Sequence, residues 1–443
     1  MFSLSAPIIG LNVLNVMMLA VDAALCGRLP ESEVALAALG FATQVVFLLM
    51  VAMLGLIVGT VALVARAYGG KAFDRVNELL VQSTQLTVLV GIVVGIAGAL
   101  LAEPILLALG ASDRVAAVGA DYLRPLMAGT PFFYLTLLYA GIFRGVGNTR
   151  IPFLCALGAN VLNAVLNYTL VLGNLGMPRL GVAGSAIGTV IAQLANLLAM
   201  MAVLRGGRIA GLRLALRPRP IDRPLAGQLF RVGWPAALDM LVLNAGFLTA
   251  LGMLGRIDQV TVAAHGLGLR VQSLAFVPGL GVAQATGAMV GQALGASDAE
   301  RARRVARASM ALCMAMMTVL ALAIIAAAPV LVRIFDVHGG TPLERYTVTW
   351  MRLLGYAMLP AGLSIALIGV LQGAGATRIS LRINIWTTLV VQIPLAWTLG
   401  FALELDALGV WLSFPLTFVA KALVTYATYR RGAWAVTGVG LKG

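Results

Sequence analysis

Long apolar runs alternate with short polar breaks along the whole chain, and the runs are long enough to cross a bilayer. A spanning helix needs roughly 20 apolar residues. On that measure spans are predicted at 4–27, 36–65, 81–109, 122–144, 151–173, 182–204, 229–254, 260–293, 306–334, 347–373, 380–400 and 408–429. The second and eighth exceed the hydrocarbon thickness. This predicts tilt or a kink, and Pro278 supplies a cause in the eighth.

Inside several runs the polar residues fall on one helical face. The first carries Asn12, Asn15 and Asp22 in register, the fifth Asn160, Asn163 and Asn167, and the sixth Ser185, Thr189, Gln193 and Asn196. The eleventh shows Asn384, Thr388 and Gln392 at four-residue steps. If the stripes of the first half converge, they form a polar chamber around one carboxyl group.

The pattern also repeats. Phe143-Arg144-Gly145-Val146-Gly147-Asn148-Thr149-Arg150-Ile151 returns as Leu371-Gln372-Gly373-Ala374-Gly375-Ala376-Thr377-Arg378-Ile379, an offset of 228 residues. The same offset maps Pro7 to Pro235, Gly27-Arg28 to Gly255-Arg256, Arg124 to Arg352 and Gly181-Val182 to Gly409-Val410. Tyr68-Gly69-Gly70 and Leu294-Gly295-Ala296 match at 226, a two-residue slip in that loop. The expected fold is therefore an all-α integral membrane protein with twelve transmembrane helices in two six-helix halves. The expected division is a half at 1–205, a basic linker at 206–228 and a half at 229–443. Six spans return the chain to its starting side, so the repeat is predicted to run about an axis along the membrane normal. The segment before the first span lacks a basic n-region and a cleavage site, which predicts a retained helix rather than a signal peptide.

Composition agrees: 60% of residues are hydrophobic and 11% charged, against about 25% charged in soluble domains. The formal charge of +14 raises the question of nucleic acid. Placement answers it. Twenty-one of the 31 Lys and Arg fall on the side of the two termini, eight on the other, and Arg270 and Lys421 lie within spans. Positive charge stays inside, so both termini and the linker are expected in the cytoplasm, with no nucleic-acid partner. The expected location is the plasma membrane, a bacterial inner membrane. Cys26, Cys155 and Cys313 make no metal or disulfide spacing, and His265 and His338 have no partner at metal spacing. No Walker lysine follows a Gly-rich loop, which excludes ATP as the driver. No enzyme constellation is present, and no cofactor is expected beyond a transported ion.

Charges at membrane depth are functional candidates by default. Asp22 is either a coupling acid or a hydrogen-bonded acid that only ties helices together. Burial in general favours the neutral form of a carboxyl group, which suits a group that takes up and releases a proton. Asp239 and Arg270 sit near mid-depth in neighbouring spans, where an ion pair is the simplest expectation and a substrate or ion role the alternative. Lys421 is expected to snorkel to the interface. His265 is expected to hydrogen-bond near a helix end, and Gln272 joins the candidates of the second half.

In order and depth these features resemble the multidrug and toxic compound extrusion (MATE) family across essentially the whole chain. The residues that carry the resemblance are Pro7 followed by Asp22, and the turns Gly145 to Thr149 and Gly373 to Thr377. To these add Asn163 to Asn167, Gly181, Gly184 and Thr189, and Ala263-Ala264-His265-Gly266. The resemblance implies alternating access and cation-coupled antiport, H⁺ or Na⁺ entering as a drug or organic cation leaves. Each half needs only its partner half to close the pathway, so a monomer is expected to function. The resemblance also implies Asp22 as the coupling acid, with Asn163, Asn167 and Thr189 beside it. Two departures are informative. Some members carry aspartate where Asn167 stands. The Na⁺-linked branch also has a glutamate in the seventh span and an aspartate in the tenth, where this chain has Leu243 and Asn244, and Ala361, Gly362 and Ser364. Both favour H⁺ through Asp22. A lipid-linked precursor flippase of the wider superfamily is the rival; it needs an intramembrane Arg cluster, which the sequence lacks.

Overall fold

The computed structural model describes residues 1–207, 209, 211–213, 220–334 and 340–436. Part of the predicted linker and His338 lie outside these. The helices are α1 (Phe2–Cys26), α2 (Ser32–Gly69), α3 (Phe73–Leu100), α4 (Ala102–Ala108), α5 (Asp113–Ala128), α6 (Thr130–Gly145), α7 (Arg150–Leu172) and α8 (Val182–Arg205). There follow α9 (Arg223–Gly255), α10 (Gln259–Gly295), α11 (Ala299–Ile334), α12 (Pro342–Gly373), α13 (Thr377–Ile385), α14 (Ile393–Trp397), α15 (Asp406–Arg430) and α16 (Ala433–Val436). Among the described residues eleven helical segments are long and apolar enough to span, twelve if α5 and α6 are one span. Large apolar side chains such as Ile96, Leu154, Val161, Leu322 and Leu423 point outward, as a lipid-facing surface requires.

The repeat seen in sequence is a repeat of backbone geometry. Gly147 and Gly375 both take positive φ, 86° and 76°. Behind them Asn148 N donates to Phe143 O and Ala376 N to Leu371 O, each at 2.8 Å. Only a residue free of Cβ enters this left-handed position without strain. The slipped pair matches as well. Lys71 and Ser297 stand at φ 57° and 59°, and the next amides, Ala72 and Asp298, each close on a carbonyl at 2.9 Å.

Several boundaries differ from expectation. The fourth span is not one helix from 122 to 144. It is α5 and α6, bent by 54° at their junction. Gly129 lies at the bend and Pro131 follows; a proline there has no N–H to continue the ladder. The seventh span begins at Arg223 rather than 229, so the end of the predicted linker is helical. The eleventh span, Thr377–Ala402, carries two π-helical stretches, Trp386–Gln392 and Thr398–Ala402, on either side of α14. Pro394 sits between them, where a donor is missing.

By packing, the chain forms two compact units, Gly10–Gly233 and Met1–Ile9 with Trp234–Gly443. The division falls within α1 and α9. Local packing accounts for it. A Cβ on Gly281 would stand 2.5 Å from Ile9, and one on Gly233 2.7 Å from the carbonyl of Gly55. The start of each half's first helix is thus seated by glycines on the other half's second.

In the first unit α8 lies against α7 through Gly184 and Gly188. A Cβ at Gly184 would fall 2.6 Å from the Leu170 carbonyl. This small-xxx-small step brings two backbones close and sets the polar faces of α7 and α8 side by side.

Candidate functional site

The first unit contains a cavity of about 270 Å³, near the lower bound for small-molecule sites. Its walls are mostly apolar and aromatic, with Met18, Phe47, Met50, Tyr122, Phe133 and Met200 among them. Its polar lining comes from Asn15 and Asp22 of α1, Thr43 of α2, Thr136 of α6, and Thr189, Gln193 and Asn196 of α8. Asp22 is its only carboxyl group.

Asp22 is 2% exposed. Asn167 Nδ2 donates to its Oδ1. Asn167 Nδ2 also approaches Asn163 Oδ1 at 3.3 Å, and Asn163 Nδ2 donates to Thr189 Oγ1 at 3.0 Å. The hydroxyls of Thr189 and Ser185 stand beside the carboxyl. Asp22 Oδ2 and Asn167 Oδ1 have no partner among the described residues. A buried carboxylate with one anchored and one open oxygen can take a proton at the open one, or share that oxygen with a cation.

Of the residues singled out from sequence, Asn15, Asp22, Thr189 and Gln193 line this cavity, and Asn163 and Asn167 stand behind Asp22. Asn160 stands apart. Its amide returns to its own helix at Ala156 O, 2.8 Å. Tyr122, Phe47 and Phe133 were missed, because an aromatic in an apolar helix carries no mark of facing a cavity.

The candidates of the second unit are arranged differently from expectation. Asp239 does not pair with Arg270. Its oxygens accept from Ser380 Oγ at 2.8 Å and from Asn384 Nδ2, while Arg270 is exposed. The reason is direction. Asp239 faces α13, and Arg270 leaves α10 on an exposed face. Lys421 does not snorkel; it is 6% exposed and lines a small internal cavity. His265 is fully buried and forms no hydrogen bond among the described residues. Its ring lies 4.9 Å from Trp350 and 6.1 Å from Phe414. Gln272 is buried with its carbonyl oxygen unpaired among the described residues. No group of three or more His, Cys, Asp and Glu suited to a metal occurs among the described residues.

Known proteins resemble this chain along its length. A family model described as MatE matches residues 7–169 and 235–398. A protein of Bradyrhizobium diazoefficiens named "probable multidrug resistance protein NorM" is 31% identical, over 95% of this chain and 91% of that one. "Probable multidrug resistance protein YoeA" of Bacillus subtilis is 27% identical over 87% of this chain and 83% of its own. Among solved structures, one titled as MATE in the bent conformation superposes with a TM-score of 0.90 at 22% identity, covering 98% of this chain and 96% of that one. An outward-facing multidrug resistance MATE family transporter superposes at 0.89 and 24% identity with the same coverage.

Proposed function

Since the chain belongs to the MatE family, we propose that it is a multidrug efflux antiporter that exchanges an entering proton for a departing cationic, amphipathic compound. The relatives' names supply multidrug resistance, and the lone acid among apolar walls supports a cationic, amphipathic substrate. The observation that carries the reading is a single buried carboxyl group in an otherwise uncharged, largely apolar cavity.

Such a cavity discriminates by charge more than by shape. An aromatic or alkyl body gains from the apolar walls, and its positive centre is attracted by ionised Asp22 in a medium that screens poorly. A proton arriving at Oδ2 removes that charge. The new O–H needs an acceptor, and the Ser185 and Thr189 hydroxyls can turn to supply one. Asn167 still holds Oδ1, so the side chain stays in place while its charge is lost. Proton and substrate thus compete for one group, and exchange follows when the two are released to opposite sides. The charge asymmetry of the loops supports cytoplasmic termini in a bacterial inner membrane. The closure of a cavity within one chain supports a monomer.

Na⁺ is the second reading. Asp22 Oδ2 and the two hydroxyls beside the carboxyl are oxygen donors of the kind hard cations accept. The test is efflux of a fluorescent cation from proteoliposomes under a pH gradient and, separately, under a Na⁺ gradient. Transport driven by the pH gradient and lost in Asp22→Asn, with folding intact, is expected. Efflux driven only by Na⁺ would replace H⁺ with Na⁺, and normal efflux by Asp22→Asn would end the assignment of Asp22. No transport under either gradient would reopen the flippase reading.

A further inference from the structure

The second unit has a buried acid of its own, in a different electrostatic setting. Asp239 is 3% exposed, and both its oxygens are engaged by Ser380 and Asn384. In one respect it copies Asp22. Each acid takes an amide from the fifth span of its half, and the two pairs share the same chain separation of 145 residues. In another respect it does not. Asp22 stands about four turns beyond Pro7, whereas Asp239 stands about one turn beyond Pro235, the repeat partner of Pro7.

The larger difference is charge. Lys421 of α15 is buried, and α15 packs against α13, the helix that carries Ser380 and Asn384, the two donors to Asp239. It is the only Lys or Arg of the second unit that is buried among the described residues; His265 is held among aromatic rings and Arg270 is exposed. The two are not in direct contact, since neither takes part in an ion pair among the described residues. Lys421 opens onto a cavity of about 30 Å³ shared with Thr387, Thr388, Gln392 and Thr417. Thr388 lies one turn beyond Asn384, the residue bonded to Asp239. A space of this size holds a water molecule. A lone buried ammonium or carboxylate is strongly unfavourable, and an opposite charge buried in the same helix cluster offsets it.

We infer that Lys421 is a tethered counter-cation for Asp239, filling in the second unit the role a cation from solution would otherwise take. The second unit then binds no cation while Lys421 is in place, and it holds a latent site that appears when the ammonium is removed. This stands apart from the role given to Asp22.

The test uses the full-length protein in detergent, in an Asp22→Asn background so that only the second unit reports. Melting temperature is followed against Na⁺ at constant ionic strength, at alkaline and at acidic pH. Four proteins are compared: the parent, Lys421→Met, Asp239→Asn and the double variant. The parent should show no Na⁺-dependent rise. Lys421→Met should melt lower and gain a saturable rise with Na⁺ or with acid. The double variant should recover parental melting and lose the response. A Na⁺-dependent rise in the parent that Asp239→Asn removes would overturn the inference, as would Lys421→Met with no response to either cation. If Lys421→Met is not recovered folded, the double variant decides: parental yield supports the counter-charge, and failure like that of the single variant refutes it.

Discussion

Replacing Gly188 by alanine tests whether Asn167 must be held where it is. A Cβ at Gly188 would overlap Asn167 Oδ1 and stand 3.2 Å from Leu166 Cβ. The conflict has two resolutions. Helices α7 and α8 part slightly, or Asn167 rotates and gives up its donation to Asp22. Overpacking of this kind costs about 1–3 kcal/mol, and a hydrogen bond to a charged group is worth about 1.5–3 kcal/mol. Against this, Gly→Ala in a helix gains up to about 1 kcal/mol. The net loss is then about 1–2 kcal/mol, and if it falls on the Asp22 site the driving-ion affinity changes by roughly five- to thirtyfold. Gly158→Ala on α7 is the control, because nothing lies within 4 Å of its added Cβ. The assay pairs thermal melting with ion-driven efflux in proteoliposomes. Gly188→Ala should melt below the control and need a steeper gradient to reach the same rate. If the two variants match in both readouts, the position of Asn167 does not matter, and Asn167 is not an anchor for Asp22.

Thr189→Val removes the hydroxyl that accepts from Asn163 at 3.0 Å and leaves a buried amide unpaired. A stability loss of about 1–3 kcal/mol is expected, with slower driven efflux; unchanged melting would mean that the amide finds another partner. Trp350→Ala in the second unit should cost about 3–5 kcal/mol. The side chain is fully buried, stacks on Trp411 at 5.8 Å and packs on His265 at 4.9 Å. A denaturant or thermal melt that moves little would show that this aromatic cluster contributes little to the stability of the second unit.

Much of this was legible in the chain because lipid removes ambiguity. A polar residue in an apolar span has few places to go, so stripes such as Asn163–Asn167 and Ser185–Thr189–Gln193 point to a common interior. The repeat gave the turns, since Gly147 and Gly375 answer to the same backbone demand. Partners across distant helices were not legible. Asp239 seemed to belong with Arg270 on the neighbouring span, yet its donors lie 141 and 145 residues away. Lys421 was read by depth alone, and depth does not tell an inward lysine from a snorkelling one. A signal did exist: Thr417, Lys421 and Thr425 fall at four-residue steps, and all three are buried. The bend at Gly129 was also signalled, by Pro131, but a window of mean hydropathy passes over such a break. The cavity's aromatic wall had no signal, because Phe133 facing a ligand and Phe133 facing a neighbour are written alike.

The equal spacing of the two acid–amide pairs reaches beyond transport. In the first unit Asn167 bonds Asp22, and the ring of Phe153 lies over Gly10. Later residues of α1 therefore meet later residues of α7, and the two helices run in the same direction. For such a pair, sliding both members by the same number of residues keeps them opposite each other. For helices of opposite direction the same move would pull them apart. Asp239 and Asn384 are one such slide, about three turns along, in the matching helices of the second half. Two parallel helices thus work as a ruler on which a carboxyl and its clamp can be set at a chosen height. An engineer who wished to relocate a clamped buried acid along such a helix pair would move two residues by whole turns and leave the rest of the scaffold alone.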